Sequence, residues 1–368
     1  MDCATRGDEK MNPRRSLFAS IGLALVLAAP SSLGAQERDD WEAHVSTLRS
    51  EHPDVYELLV RLERIHGVLL GELAAEGEAV RASAEKLPSP TFEFDMLDRL
   101  GAMANESGTL DDAAAEAEAG YAVLGERAAA IIEWTNDFRL EVLGILSDPT
   151  LTSYADRRAA VAAAVERYKS RPEAALPAEP KNMDVLYDHE QALDFRTGYT
   201  DLDGLIWAGH WLKLAVTEPL TDLSGDQRLA GLDTVQTRYY AKLTYGEPPE
   251  FFPSELPLAP AIAAGFSFMS PEAAIIWDNL SMLEEVLADV LASPETVDVR
   301  ASLDKAVEFF MDPTVGMSDR ILWGTMALRH GIFFQGGYPL AVMTKSELNV
   351  GGHIAHLRGG ALVTFPGM

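Results

Sequence analysis

The chain has 368 residues, with 57 acidic side chains against 30 basic ones, and a formal net charge of −27. A surface this acidic is a poor partner for nucleic acid or anionic lipid headgroups and suits cations or a basic protein face. The single cysteine, Cys3, lies ahead of everything that reads as folded chain, which excludes disulfides, thiolate metal sites, a cysteine nucleophile and covalently attached haem.

The chain opens on an export signal. Asn12-Pro13-Arg14-Arg15 supplies a basic n-region, Leu17 to Ala29 an apolar h-region, and Pro30-Ser31-Ser32-Leu33-Gly34-Ala35 a small-residue cleavage end. The expectation is a signal peptide over residues 1–35, cleaved after Ala35. Met11 is its natural start, because Asp2, Asp8 and Glu9 put acid where positive charge belongs. The apolar run of 13 residues is short of the ~20 that span a bilayer. The mature chain would then carry −28, have no transmembrane helix, and be periplasmic or secreted.

Residues 36–171 read as a bundle of long helices. Leu58, Leu59, Leu62, Ile65, Leu69 and Leu73 recur in threes and fours on one helix face, and Pro53 suits the first turn. A second long helix is predicted through Tyr121, Leu124, Ala128, Ile131, Ile132, Phe138, Val142 and Ile145, with polar Thr135 at the one missing step. A third, alanine-rich helix carries Tyr154, Val161, Val165 and Tyr168. Long helices with short joints pack antiparallel, so the expected fold is an all-α, up-and-down bundle.

Pro172, Pro177 and Pro180 interrupt the helical pattern, and residues 172–182 read as a linker. Residues 183–368 are expected to form a second helical domain of shorter, Trp- and Met-rich helices. Thr200 is a predicted cap for a helix through Trp207 and Trp211, and Ser224 with Gln227 forms a capping box. Ser270-Pro271-Glu272 and Ser293-Pro294-Glu295 are both predicted helix starts, and Ser318 or Asp319 begins one more. Leu258 to Met269 is an apolar run too short to span a membrane. Eight glycines between Gly331 and Met368 mark a Gly-rich C-terminal segment.

All eight histidines follow the signal. Glu63-x-x-His66 has the spacing of carboxylate-bridged di-metal bundles, but no second such pair exists, so His66 reads as a helix-flank histidine. The denser set is His189, His210, His330, His353 and His356. In Gly351-Gly352-His353-Ile-Ala-His356, two imidazoles one helical turn apart share a face, and Glu190 with Asp194 adds carboxylates one turn apart. The predicted metal ligands are therefore His353 and His356, supported by His330, His210, His189 and Glu190. Such a set would suit Zn, Mn or Fe; an added Met326 or Met343 would favour copper. Nucleophile-elbow, phosphate-loop and dinucleotide motifs are absent. Two functions are expected from the sequence: an exported accessory or scaffold protein acting on an envelope protein or small ligand, or a protein that binds a divalent transition metal or other cofactor, with catalysis open.

Overall fold

The computed structural model describes residues 35–105, 110–222, 225–244, 256–317 and 319–329. Every regular element among them is helical, as the sequence periodicity predicts, and no strand occurs among the described residues. No described helix is long and apolar enough to cross a membrane.

The first half forms α1 (Ala35–Glu51), α2 (Pro53–Ala82), α3 (Phe92–Asn105), α4 (Leu110–Tyr121), α5 (Glu126–Ser147) and α6 (Tyr154–Lys169). Pro53 sits in the first turn of α2 with Asp54 beside it, and the whole predicted leucine stripe is buried. Helix α2 packs on α4 through small residues. A Cβ on Gly67 would stand 2.5 Å from the Ala117 carbonyl oxygen and 2.7 Å from its Cα. Gly67→Ala should therefore lower the unfolding free energy by about 1–3 kcal/mol through overpacking. That exceeds the ~1 kcal/mol gained in helix propensity, and urea denaturation would read the net loss.

The second predicted helix is not continuous. Ala122–Leu124 is a 3₁₀ turn, and Gly125 takes φ +89°, a conformation open to glycine with little strain. The Arg300 guanidinium donates to the Leu124 carbonyl beside it. Tyr121 thus ends α4 and turns inward, while α5 starts afresh. Thr135, the polar step in the stripe, is fully buried: its hydroxyl bonds the Ile131 carbonyl at 2.7 Å and the Tyr168 hydroxyl at 2.8 Å. Tyr168 in turn accepts the Leu176 N–H at 2.7 Å, which fastens the start of the Pro-rich segment to α5 and α6.

That segment is sewn to the second half as well. Asn279 donates to the Pro177 and Glu179 carbonyls at 3.0 Å each, and buried Lys181 donates from Nζ to the Asp312 carbonyl at 2.6 Å. The second half forms α7 (Val185–Asp188), α8 (Asp194–Gly198), α9 (Thr200–Ala215), α10 (Thr217–Asp222), α11 (Gly225–Thr244), α12 (Ala259–Ile262), α13 (Ala264–Met269), α14 (Pro271–Ala292), α15 (Val299–Met311) and α16 (Arg320–Arg329). Two predicted starts move. Helix α9 begins at Thr200 without a side-chain cap of its own; the Glu93 carboxylate of α3 accepts the Asp201 and Leu202 N–H groups at 2.6 and 3.2 Å instead. Helix α15 starts at Val299, where Asp298 caps the Ala301 N–H at 3.0 Å; Ser293 closes α14 by donating its N–H to the Asp289 carbonyl. Ser224 lies outside the described residues.

Helix α14 is the axis of the molecule. Every residue from Ala273 to Ala292 is buried, and it packs against α2, α5, α8, α13 and α15. One continuous apolar core runs through both halves of the chain. Helix α14 also carries Asp278, Glu284, Glu285 and Asp289 into that core, without a single basic residue of its own. A buried carboxyl needs a partner or must keep its proton: Asp289 pairs with Arg196 of α8, while burial pushes Asp278, Glu284 and Glu285 up.

Candidate functional site

Three side chains from three helices converge in the core. His66 comes from α2, His210 from α9 and Glu284 from α14, each at most 5% exposed. Each offers one ligand-type atom, and these atoms all lie within 4.8 Å of one another. His66 Nδ1 is 3.5 Å from Glu284 Oε1, and His210 Nδ1 is 3.8 Å from Glu284 Oε2. The two imidazoles meet edge to face, with centroids 5.2 Å apart. Ligands of one tetrahedral zinc-type ion stand about 3.3 Å apart, given bonds of 2.0–2.1 Å, so small side-chain rotations would close this set around an ion.

The hydrogen bonding marks the cluster as incomplete. Among the described residues, neither ring nitrogen of His210 and neither oxygen of Glu284 has a hydrogen-bond partner. Burial pushes His66 down to about 3 and His210 well below the ordinary histidine value, so both rings are neutral at physiological pH and carry lone pairs. Burial pushes Glu284 up to about 7, with Glu63 adding to the rise and Lys213 and Arg139 opposing it.

A layer of charge stands next to the cluster. Glu63 Oε1 lies 2.7 Å from Lys213 Nζ and 3.7 Å from Arg139 Nη1. Glu63 Oε2 accepts from the Tyr121 hydroxyl at 2.8 Å and from Asn136 Nδ2 at 2.5 Å. Burial pushes Glu63 up, but Lys213, Arg139 and His66 outweigh it and hold the carboxyl below its ordinary value. The Gly67 contact and the break at Gly125 bring Tyr121 to this point.

The sequence-predicted ligands are dispersed. His210 joins the cluster. His189 does not: its Nε2 is 3.1 Å from Asp289 Oδ2, a carboxylate that also accepts from Leu193 and Phe195 N–H and from Arg196. Glu190 is exposed, and it does not share a helical turn with Asp194, because α7 ends at Asp188 and Leu193 takes φ +74° before α8 begins. His330, His353, His356 and Met343 lie outside the described residues. Met326 accepts from the Met183 N–H at 3.4 Å. His66, read from sequence as a helix-flank residue, is buried at the centre of the site; Glu284 and the surrounding Glu63, Lys213 and Arg139 were not singled out as members of one site. The available signals were Glu63-x-x-His66 and the acids inside the base-free apolar run of α14.

Another buried acid of α14, Asp278, offers a contrast. Asp278 receives the Ala259 N–H at 2.9 Å and Trp323 Nε1 at 2.8 Å, so it ties α14 to α12 and α16. Burial nevertheless pushes it up to about 8, against those two hydrogen bonds. The folded state therefore keeps a proton that the unfolded chain releases near the ordinary carboxylate value. This contribution to stability is present at acid pH and is lost as pH rises toward 8. Asp278→Asn stays neutral throughout. Its unfolding free energy, relative to the parent protein, should rise between pH 5 and pH 8 by up to about 1.4 kcal/mol per pH unit; urea denaturation at both ends of that range measures it.

Comparison with known proteins adds no assignment: no family model, curated protein or solved structure matches the chain.

Proposed function

We propose that this is a metal-binding protein in which His66, His210 and Glu284 hold one divalent transition-metal ion. The observation that carries this reading is the convergence of two neutral imidazoles and a carboxylate in the buried core, with the His210 nitrogens and Glu284 oxygens left without hydrogen bonds among the described residues. Each unsatisfied buried polar group costs about 1–3 kcal/mol, and ligation would satisfy one His210 nitrogen and the Glu284 carboxylate together. Two nitrogens and one oxygen suit zinc, iron or manganese better than copper. Met326, the thioether that would have favoured copper, is engaged elsewhere. Three protein ligands leave a coordination position open, the arrangement of sites that bind or transform a ligand rather than brace a fold. Residues 11–35 support export, so we place metal loading outside the cytoplasm.

Elemental analysis of protein purified without an affinity tag, then cobalt titration of the stripped protein, tests the reading. One ion per chain is expected, and none in a His66→Ala/His210→Ala double variant that retains its helical circular dichroism. Substoichiometric metal that is the same in both proteins would sink it.

A further inference from the structure

The charge layer beside the metal ligands bears on what fills the open position. Glu63 precedes His66 by three residues on α2, and Lys213 follows His210 by three on α9, so each pair shares a helix face. Lys213 and Arg139 are both almost wholly buried. They face one carboxylate, Glu63, whose two oxygens are already engaged by Lys213, Tyr121 and Asn136. Glu63 is therefore held in its own layer and is not free to swing onto the ion. A divalent ion on His66, His210 and ionised Glu284 leaves one positive charge in the ligand layer. Lys213 and Arg139 against Glu63 leave another in the adjacent layer. Glu285, buried beside Glu284, can offset at most one of these charges, and even one uncompensated charge in a buried volume is strongly unfavourable.

We propose that the loaded site takes a small oxyanion, a carboxylate or phosphate group, as its remaining ligand, with one oxygen on the metal and another paired to Lys213. The proposal rests on the metal reading above. It makes Lys213 the residue that selects an anionic ligand over water, and the buried location restricts that ligand to a small one. Lysine suits the task as a compact point charge with three donors, of which Glu63 uses one direction.

The test uses the cobalt-loaded protein in a non-coordinating buffer, with its visible spectrum as the readout. Acetate and inorganic phosphate are titrated separately. Each should shift the cobalt bands saturably, and one of the two should bind more tightly and so name the closer chemistry. Lys213→Met alone takes from Glu63 its nearest cation and leaves only the more distant Arg139, so the comparison is the Glu63→Gln/Lys213→Met double variant, which removes the pair together. It should keep one cobalt per chain and bind the oxyanion about tenfold more weakly or worse, as expected for loss of one charge-assisted hydrogen bond. Stoichiometric cobalt with a spectrum indifferent to both anions overturns the proposal and leaves the metal reading standing. An equal response in parent and double variant overturns the role of Lys213. Failure of the parent protein to bind cobalt overturns the metal reading, and this proposal with it.

Discussion

His210→Leu should stabilise the metal-free protein and abolish the stabilisation that metal confers on the parent. His210 is 1% exposed, and both its ring nitrogens lack partners among the described residues. Burial keeps the ring uncharged, so no ion pair is lost on substitution. Leucine fills a similar volume without polar atoms. Removing two unsatisfied groups should raise the unfolding free energy by about 1–3 kcal/mol. With zinc at a hundredfold excess over Kd, the parent should gain about 2.7 kcal/mol and the variant nothing. The order of stabilities thus reverses between stripped and loaded protein. Thermal melts of both proteins with chelator and with zinc measure all four values. A histidine that merely packs the core would behave otherwise: His210→Leu would lose stability in both conditions, and zinc would move the two melts equally.

This reversal separates what the sequence displays from what it conceals. The α2 stripe was legible because six apolar residues keep helical period and a proline sits where helices begin. The interruption at Gly125 was not, because Tyr121, Leu124 and Ala128 preserve the period across it; only the positive φ of one glycine separates α4 from α5. The same holds for the site. His210 is legible because histidines crowd the second half of the chain. His66 reads from sequence as a helix-flank residue, because Glu-x-x-His spacing calls for a second copy of itself. Its actual partners are a histidine and a glutamate from the far half, and tertiary convergence has no period. Glu284 had no contrast in a chain of 57 acids. What distinguishes it is its setting in α14, a helix buried from Ala273 to Ala292 that carries acids and no bases. Such a helix draws on charge from elsewhere: Arg196 pairs with Asp289, while Lys213 and Arg139, paired to Glu63, stand near enough to oppose the rise of Glu284.

Glu63 is where that pairing is most exposed to test. Glu63→Leu should cost about 3–5 kcal/mol at neutral pH, the range for removing one partner of a buried ion pair. It leaves Lys213 and Arg139 without the carboxylate they share, and strips the acceptor from Tyr121 and Asn136. The pH dependence has a definite sign. Lys213, Arg139 and His66 hold Glu63 below its ordinary value in spite of burial. Its contribution is therefore present above the unfolded carboxylate value and is lost as pH falls through the lower, folded one. The gap between parent and variant should be widest near pH 7 and should narrow in acid. Lys213→Met added to Glu63→Leu should recover much of the loss at pH 7, because it removes one stranded cation; what remains unrecovered measures Arg139. If Glu63→Leu instead costs under about 1 kcal/mol, as a solvent-screened surface pair would, then Lys213 and Arg139 are not held as uncompensated charge beside the ligands. The demand for an anion at the open position would then fall with them, while the histidines and Glu284 would still converge.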